Sequence, residues 1–435
     1  MSLLGELTPQ TTAVYLRTPP AIRERCSRVY DPATQGKLQL FDYHPEEEAE
    51  VAAFCLKIIE LQSQERMLFS NIQVPSSRQS PKSAISRFNH TVAGAILMPD
   101  SPELSPSSRN GHPSGSTTRK SLAGNLWKYT EPSTNKVFGQ SEGLGVASVH
   151  MFQDGFFSGI KEQPYRVDAA GLTKVTAERT GAAMQVSETN PMTGLEGRAS
   201  LLFNLSKALT SSPQFFGTEG RPGNLIDFLE SQALPTSPPT VPLSALWIVL
   251  LDGLNPIWPS RLSLGGVSLG DVWPCPSLGQ TAPGDPESDT IPVPFHKLTQ
   301  WLTYSLIEVF QKELGWQVEG LEDMTGLPEY RNGGLLVDLD VLTLKPNVLP
   351  TDPKSGLPTA PPSHPAIVEW RAMTVINLDR IANLIRSELG LTSAQLSLAQ
   401  VLEAATWKGR REIAKIKRPE TGGPPIEIES DGTVF

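Results

Sequence analysis

An aspartate at the end of an apolar segment is the first residue in this sequence whose position points to chemistry. Asp252 follows the wholly apolar residues 245–251 and precedes the run Gly-Leu-Asn-Pro-Ile-Trp, which ends at Trp258. Burying a carboxylate costs free energy unless it is paired or hydrogen-bonded. Two interpretations stay open. Asp252 is a cap or turn residue, or it is a desolvated catalytic carboxylate at the mouth of a pocket, with Trp258 as an apolar wall.

A glycine-rich segment lies just before a short predicted helix. Residues 215–224 read Phe-Phe-Gly-Thr-Glu-Gly-Arg-Pro-Gly-Asn. Glycines allow successive backbone N–H groups to turn toward an anion, and Arg221 could add a charged contact. The spacing matches neither the Walker A motif nor the dinucleotide-binding fingerprint. A phosphate-binding loop and a plain turn therefore both remain open.

A glutamate, a tryptophan and an arginine open another predicted helix. Glu369-Trp370-Arg371 follows a proline-rich loop. A glutamate in a first helical turn is ordinary, but beside Trp370 and Arg371 it can also bind the polar edge of a ligand. A basic stretch at residues 408–418 is either a solvated helix face or a phosphate site.

Asp338 and Asp340 lie two residues apart on a predicted strand, so they would share one face of it. They form either a metal or acid/base pair or a solvated strand face. Metal chemistry has little other support, because no Cys-x-x-Cys or His-Glu-x-x-His spacing occurs. The sequence therefore predicts no metal and no cofactor, and carboxylates are the best catalytic candidates.

Charge and hydropathy disfavour several functional classes. The formal net charge is −9, and nucleic-acid binding requires a positive surface. No run of about 18 apolar residues, the length that spans a membrane, occurs. Residues 1–10 lack the basic and apolar regions of a secretory signal. We expect a cytoplasmic protein that binds neither nucleic acid nor membrane, and the oligomeric state stays open.

Apolar periodicity predicts a mainly α fold with a small β element. Helical spacing is clear over residues 45–69, 225–234 and 294–314. The apolar run 245–251 fits a buried strand or a buried helix equally well. Residues 331–334, Arg-Asn-Gly-Gly, predict a turn, and alternating apolar residues predict a strand near 335–343.

Composition divides the chain into four parts. Residues 1–72 are the N-terminal helical part of the main domain, residues 126–420 are the main catalytic domain, and residues 421–435 are a C-terminal tail. Residues 73–125 are rich in Ser and Pro, so they cannot bury enough apolar area to offset the entropy lost on ordering. We expect a disordered, flexible insertion there.

Several blocks of the sequence resemble the uracil catabolism protein 4 family. They are YRVDAAGL (165–172), GRASLL (197–202), GRPG (220–223), DGLNPIWP (252–259) and EWRAMTV (369–375). That family acts in a pyrimidine route in which uracil becomes a ribonucleotide, its ring is opened and urea is released. The resemblance implies an enzyme of this route, and the chemistry of the route requires a step that removes the sugar from a ribosylated urea.

A second resemblance is to the queuosine salvage N-glycosylase family. LDGLN at 251–255 and EWR at 369–371 carry it, with Glu369-Trp370 standing where that family has Asp-Tyr. The family has a helical core like that of DNA glycosylases, which this chain is then expected to share. The two resemblances imply an N-ribosyl hydrolase that releases urea from a ring-opened uracil ribonucleotide, such as ribosylurea phosphate. Its partner would be a small phosphorylated riboside.

Each candidate residue has an expected role in this reaction. Asp252 is the ionised carboxylate that stabilises the sugar cation and orients water, and Glu369 is the second carboxylate, which binds the urea edge or donates a proton. The substrate-binding residues are expected to be Arg198, Arg221, Asn255, Trp258, Trp370 and Arg371. The open alternatives are an amidohydrolase acting on the opened pyrimidine ring and a non-catalytic scaffold of the pathway.

Overall fold

Helices form most of the regular structure of this chain. The computed structural model describes residues 8–69, 127–192, 194–257, 261–279 and 291–429. In chain order the α-helices are α1 (Pro9–Leu16), α2 (Pro19–Ala33), α3 (Glu48–Phe69), α4 (Gln140–Gln153), α5 (Ala169–Leu172), α6 (Ala177–Ala183), α7 (Leu195–Ser211), α8 (Pro213–Phe216), α9 (Leu225–Gln232), α10 (Leu243–Ile248), α11 (Pro276–Gly279), α12 (Lys297–Val309), α13 (Tyr330–Asp338), α14 (Pro365–Leu389), α15 (Leu398–Val401) and α16 (Trp407–Lys417). The predicted mainly α fold is confirmed.

The strands are short and pair two by two. They are β1 (Phe41–Tyr43), β2 (Lys128–Thr130), β3 (Val137–Gly139), β4 (Thr240–Pro242), β5 (Ser263–Leu264), β6 (Val267–Ser268), β7 (Val272–Pro274), β8 (Pro292–Pro294), β9 (Gln317–Glu319), β10 (Leu342–Leu344), β11 (Thr359–Ala360) and β12 (Glu427–Ile428). The pairs β4–β9 and β11–β12 are parallel, and β1–β10, β2–β3, β5–β6 and β7–β8 are antiparallel. These pairs tie distant segments together, as where Phe41 lies opposite Leu344.

Helix α14 lies at the centre of the core. Residues 366–378 are all buried, as expected of a helix that is apolar on nearly every side. Pro365 suits the first turn, where its missing N–H is not needed. Gly390, at φ +64°, ends the helix in the left-handed conformation that glycine adopts readily. Because α14 packs against α2, α3 and α13, its side chains meet different elements on different faces.

The predictions for residues 331–343 are largely wrong. Helix α13 occupies Tyr330–Asp338, where the sequence predicted a turn followed by a strand. The strand of this region, β10, begins only at Leu342. A short apolar segment with a period near two was therefore mistaken for a strand, although it is the buried face of a helix.

Two glycines of α13 explain the error. A Cβ on Gly333 would lie 2.6 Å from the indole of Trp370, and one on Gly334 would lie 2.9 Å from the ring of Pro425. Both residues are helical, and both allow a neighbour to approach closely. Gly333 therefore marks a contact with helix α14 and Gly334 a contact with the loop before β12, and neither marks a turn.

Asp338 and Asp340 do not share a strand face. Asp338 is buried at the end of α13 and pairs through both oxygens with Arg418, at 2.7 and 2.5 Å. Asp340 lies beyond the helix with φ +59°. Within the basic stretch 408–418, Arg410 is also buried, so a wholly solvated helix face is the wrong description of that stretch.

The other predicted helices are confirmed with small shifts. A tight helical turn at Pro45–Glu47 leads into α3, and α9 covers most of residues 225–234. The apolar run 245–251 is helical, because α10 continues into a wider helical turn at Val249–Gly253. In the segment 294–314, α12 begins only at Lys297, after β8.

Residues 70–126, which include the predicted insertion at 73–125, lie outside the described part of the chain. The start of the predicted tail, residues 421–435, is tied to the fold: Ile426 is buried and β12 pairs with β11. Across the described ranges, no helix combines the length and the apolar character needed to cross a membrane.

Candidate functional site

Asp252 reaches the surface beside an arginine from the N-terminal helices. It lies in the wider helical turn that follows α10. That segment is held in place by Trp247, whose indole N–H donates to the carbonyl of Arg17 at 2.7 Å. The guanidinium of Arg17 pairs with Oδ1 of Asp252, and the Asp252 side chain is 47% exposed. Within the described residues the carboxylate is therefore half exposed, and the expectation that it is desolvated is wrong there.

The glycine-rich segment 215–224 packs beside Asp252. A Cβ on Gly253 would lie 2.8 Å from the ring of Phe216. The backbone N–H of Arg221 donates to the carbonyl of Phe216 at 2.9 Å. Arg221 is half-buried, and its Nε is buried with no hydrogen-bond partner among the described residues. The structure thus brings Arg221 and the turn of Asp252 into one region.

The same segment does not form a backbone cradle for an anion. The N–H groups of Gly217, Gly220 and Arg221 donate to the carbonyls of Pro213, Gly217 and Phe216. Gly217 and Gly220 have φ of +68° and +58°, conformations that glycine adopts at little cost. The glycines serve a turn, so an anion near this segment would have to be held by side chains.

The remaining predicted residues of this region are placed only in part. Arg198 is half-buried on α7, which packs against the tight turn Asn255–Ile257. Asn255 begins that turn, but its side chain and the whole of Trp258 lie outside the described structure.

Glu369 belongs to the core and is 0% exposed. Its Oε1 accepts the N–H groups of Leu40 and Phe41, each at 3.1 Å, and its Oε2 accepts the hydroxyl of Ser277 at 2.5 Å. Burial raises the pKa of Glu369, although these hydrogen bonds oppose the shift. In this arrangement Glu369 ties the entry of β1 and helix α11 to α14, and it does not reach a surface where a substrate binds.

Glutamine at position 369 is expected to leave the melting temperature at pH 7 unchanged or higher. Its amide oxygen can accept both N–H groups, its NH₂ can donate to Ser277, and no charge is buried. Because burial raises the folded-state pKa of Glu369, the parent should lose stability as pH rises from about 4.3, the unfolded value, through that raised pKa.

Guanidinium unfolding of Glu369→Gln and parent across this pH range checks the expectation. The variant should lack the fall in stability that the parent shows. Glu369→Ala is the matched control and should be less stable, because two buried N–H groups lose their acceptor. A Gln variant that is much less stable than the parent at pH 7 would show that the core needs the charge.

Arg371 lies on a different face of α14 and pairs with a carboxylate that the sequence did not single out. Its Nη1 and Nη2 bond to the two oxygens of Asp271 at 2.9 and 2.8 Å, and its Nε donates to the carbonyl of Pro328 at 2.9 Å. Burial would raise the pKa of Asp271, but Arg371, the N–H of Lys297 and the indole of Trp273 hold it well below its usual range. All three guanidinium nitrogens of Arg371 are engaged, which leaves no fork for a phosphate.

Trp370 is a core residue, 1% exposed, and its indole covers Gly333. Among the described residues Trp370 has almost no surface with which to bind a substrate, the role that was expected of it. The predicted site therefore separates into a surface group around Asp252 and Arg221 and a buried group around Glu369, Trp370 and Arg371.

His296 is a residue of the surface group that sequence reasoning missed. It is 1% exposed and has φ +46°, a strained conformation for a histidine. Its Nε2 lies 2.8 Å from the carbonyl of Leu16, and its ring meets Trp247 edge to face at 5.9 Å. Burial lowers the pKa of His296, which favours the neutral ring, and the contact with Leu16 holds the end of α1 next to Arg17, the partner of Asp252. No motif around His296 signals this.

Comparison with known proteins gives this chain both a family and relatives. A family model described as "Protein of unknown function (DUF1688)" matches residues 15–80 and 120–435. "Uracil catabolism protein 4" of Lachancea kluyveri is 43% identical over 327 residues, which are 72% of this chain and 73% of that protein. "Protein urg3" of Schizosaccharomyces pombe (strain 972 / ATCC 24843) is 45% identical over 316 residues, 72% of this chain and 71% of that protein.

Proposed function

This chain belongs to the family described as "Protein of unknown function (DUF1688)", and on that premise we propose that it acts in uracil breakdown as an N-ribosyl hydrolase. Its substrate would be a ring-opened uracil ribonucleotide such as ribosylurea 5′-phosphate, and its products urea and ribose 5-phosphate. The name "Uracil catabolism protein 4" of a relative 43% identical to this chain supports the pathway. The geometry around Asp252 supports the reaction.

The accessible carboxylate of Asp252 carries the proposal. Arg17 holds its Oδ1, whereas its Oδ2 accepts no hydrogen bond from the described residues, and the side chain is 47% exposed. Glu369 and Asp271, by contrast, are surrounded by donors in or beside the core. Asp252 is thus an accessible carboxylate with one oxygen paired to Arg17 and the other available to a substrate.

Such a carboxylate suits the cleavage of an N-glycosidic bond. When the bond between the anomeric carbon and the urea nitrogen breaks, its electron pair stays on nitrogen and positive charge develops on the sugar ring. The negative charge of Asp252 stabilises that transition state. A water molecule adds its oxygen to the anomeric carbon; one of its protons passes to Asp252 and on to solvent, and the urea nitrogen takes up a proton.

Arg221 is our candidate for holding the phosphate of the substrate. Its backbone is fixed by Phe216, whose ring packs on Gly253, next to Asp252. Its buried Nε has no partner among the described residues, and a guanidinium bonds well to phosphate oxygens. Arg371, which with Arg198 was also expected to bind the substrate, is occupied by Asp271.

Urea release from synthetic ribosylurea and from its 5′-phosphate tests this proposal. We expect urea, and no ammonia, from both compounds, with a lower KM for the phosphate. Arg221→Ala should raise KM for the phosphorylated substrate about tenfold or more, since a charge-assisted bond is lost, and should leave KM for the bare riboside nearly unchanged. Equal effects on both compounds would contradict the role of Arg221, and ammonia as the product would favour an amidohydrolase.

A further inference from the structure

Arg410 carries a buried guanidinium edge that no described residue satisfies. The side chain is 3% exposed. Its Nη1 bonds to the carboxylate of Glu329 and, at 3.2 Å, to the amide oxygen of Asn332. Its Nε and Nη2 are both buried and have no hydrogen-bond partner within the described ranges. These two nitrogens lie on one side of the planar group, so their N–H bonds point in parallel, the geometry that takes two oxygens of one anion.

Glu329 cannot fill that edge. It caps α13, and its Oε1 accepts the N–H of Asn332 at 2.8 Å while its Oε2 accepts the N–H of Arg331 at 3.1 Å. Oε1 also accepts Nη1 of Arg410. The carboxylate is held by α13 on one side of the guanidinium, and the opposite edge is left for another group.

Thr406 provides a second buried group without a partner. It is 1% exposed, and its hydroxyl makes no hydrogen bond with the described residues. The wider helical turn Leu402–Thr406 runs directly into α16, so Thr406 and Arg410, four residues apart, share a face. Because helical side chains lean toward the N-terminus, the guanidinium of Arg410 leans over the turn that carries Thr406.

The charge of Arg410 persists at neutral pH. Burial lowers its pKa to about 10, although Glu329 opposes the shift, so the group stays protonated near pH 7. Lys297 and Arg331 add positive potential: with Arg410 they hold the pKa of Glu329 below its usual value against the effect of burial. A buried cation with three of its five N–H donors on unpartnered nitrogens is destabilising, and an anion on that edge removes the penalty.

We propose that Arg410 and Thr406 form a buried binding site for a small anion with two coplanar acceptor oxygens, a phosphate or a carboxylate. The guanidinium binds both oxygens through Nε and Nη2, and the Thr406 hydroxyl donates to one of them. This site uses none of the residues of the region of Arg221 and Asp252, and it does not depend on the proposed reaction.

Melting of the full chain with added anions tests the site. Inorganic phosphate, ribose 5-phosphate and malonate are each compared with chloride at equal ionic strength. We expect the phosphates or malonate to raise the melting temperature more than chloride does, with an effect that saturates as the anion concentration rises. The compound that raises it shows whether the site binds a phosphate or a carboxylate. The stabilisation should persist in Arg221→Ala, which separates this site from the proposed substrate phosphate.

Three single substitutions at neighbouring positions show whether the anion binds at Arg410 and Thr406. Arg410→Lys keeps the charge but loses the fork, and should weaken anion binding about tenfold or more. Thr406→Val should weaken it about three- to tenfold while leaving the melting temperature without anion unchanged or higher, because a buried unsatisfied hydroxyl is removed. Lys408→Gln, an exposed position on the same helix, should change binding less than about twofold.

Three results would contradict an anion site at Arg410 and Thr406. Absence of saturable stabilisation beyond chloride in the parent would show that the edge holds ordered water only, and would overturn the site. Stabilisation that survives in both Arg410→Lys and Thr406→Val, or that is lost in Lys408→Gln, would place the anion elsewhere. If Arg410→Lys does not fold, Thr406→Val tests the site alone. It should bind the anion more weakly while its melting temperature without anion is unchanged or higher, and an unchanged affinity would overturn the site.

Discussion

Asparagine in place of Asp252 is expected to lower kcat for urea release about a hundredfold or more, the scale of losing a key electrostatic group. The substitution keeps the shape of the side chain and removes its negative charge, so the developing sugar cation loses its stabilisation. The melting temperature should fall by only a few degrees at most, because the Asp252 side chain is 47% exposed, although Arg17 is 19% exposed, and ion pairs with a solvent-exposed partner contribute about 0–1 kcal/mol. Steady-state kinetics and thermal unfolding of the same preparations separate catalysis from folding.

Asp42 supplies the matched control. Its side chain is 54% exposed and lies 3.7 Å from Lys345, so it matches Asp252 in exposure and in having one cationic neighbour, although its ion pair is looser. Asp42→Asn should leave kcat unchanged. An Asp252→Asn protein that keeps the parental rate would identify Asp252 as a turn residue, and one that loses its fold would show that the Arg17 pair is structural.

Methionine in place of Arg371 is expected to lower the free energy of unfolding by about 3–5 kcal/mol, since removal of one partner leaves the charge of Asp271 uncompensated. Arg371 is 2% exposed, stacks on the ring of Phe295 at 4.1 Å and bonds to both Asp271 oxygens. The pKa of Asp271 is lower in the folded protein than in the unfolded chain, where it is about 3.9. The stabilisation is therefore fully present above about pH 3.9 and is lost only as pH falls through the lower pKa of the folded state.

Denaturant unfolding of Arg371→Met measures this effect, and Arg28→Met is the control. Arg28 pairs with Glu24 on the surface of α2 and its side chain is 52% exposed, so its loss should cost less than about 1 kcal/mol. Stability of Arg371→Met within about 1 kcal/mol of the parent would contradict the role assigned to the Asp271–Arg371 pair.

The sequence predicts the position of Asp252 well and its environment poorly. An aspartate that ends an apolar helix has to lie near a surface, which local sequence conveys. Its partner, Arg17, is 235 residues away along the chain, and no local pattern reports such a contact. The sequence therefore suggests a desolvated carboxylate, whereas the structure shows a half-exposed Asp252 paired with a mostly buried Arg17.

Glu369 shows a different limit of sequence reasoning. A glutamate between buried residues implies a special environment, and the structure gives it one. Its partners, however, are mainly backbone N–H groups of Leu40 and Phe41, which any residue type supplies and no motif reveals. The prediction of a turn at Gly333-Gly334 is wrong for a related reason, because glycine allows both close packing in a helix and tight turns.

The fate of the carbonyl carbon of ribosylurea 5′-phosphate, labelled with ¹³C, tests the central claim most directly. Carbon NMR of the labelled substrate incubated with the purified full-length protein follows that atom. The proposed hydrolase converts it to ¹³C-urea, with ribose 5-phosphate formed in equal amount and at a rate that Asp252→Asn nearly abolishes. Label that stays in the substrate, or that appears as ¹³C-bicarbonate with release of ammonia, would contradict cleavage of the N-glycosidic bond.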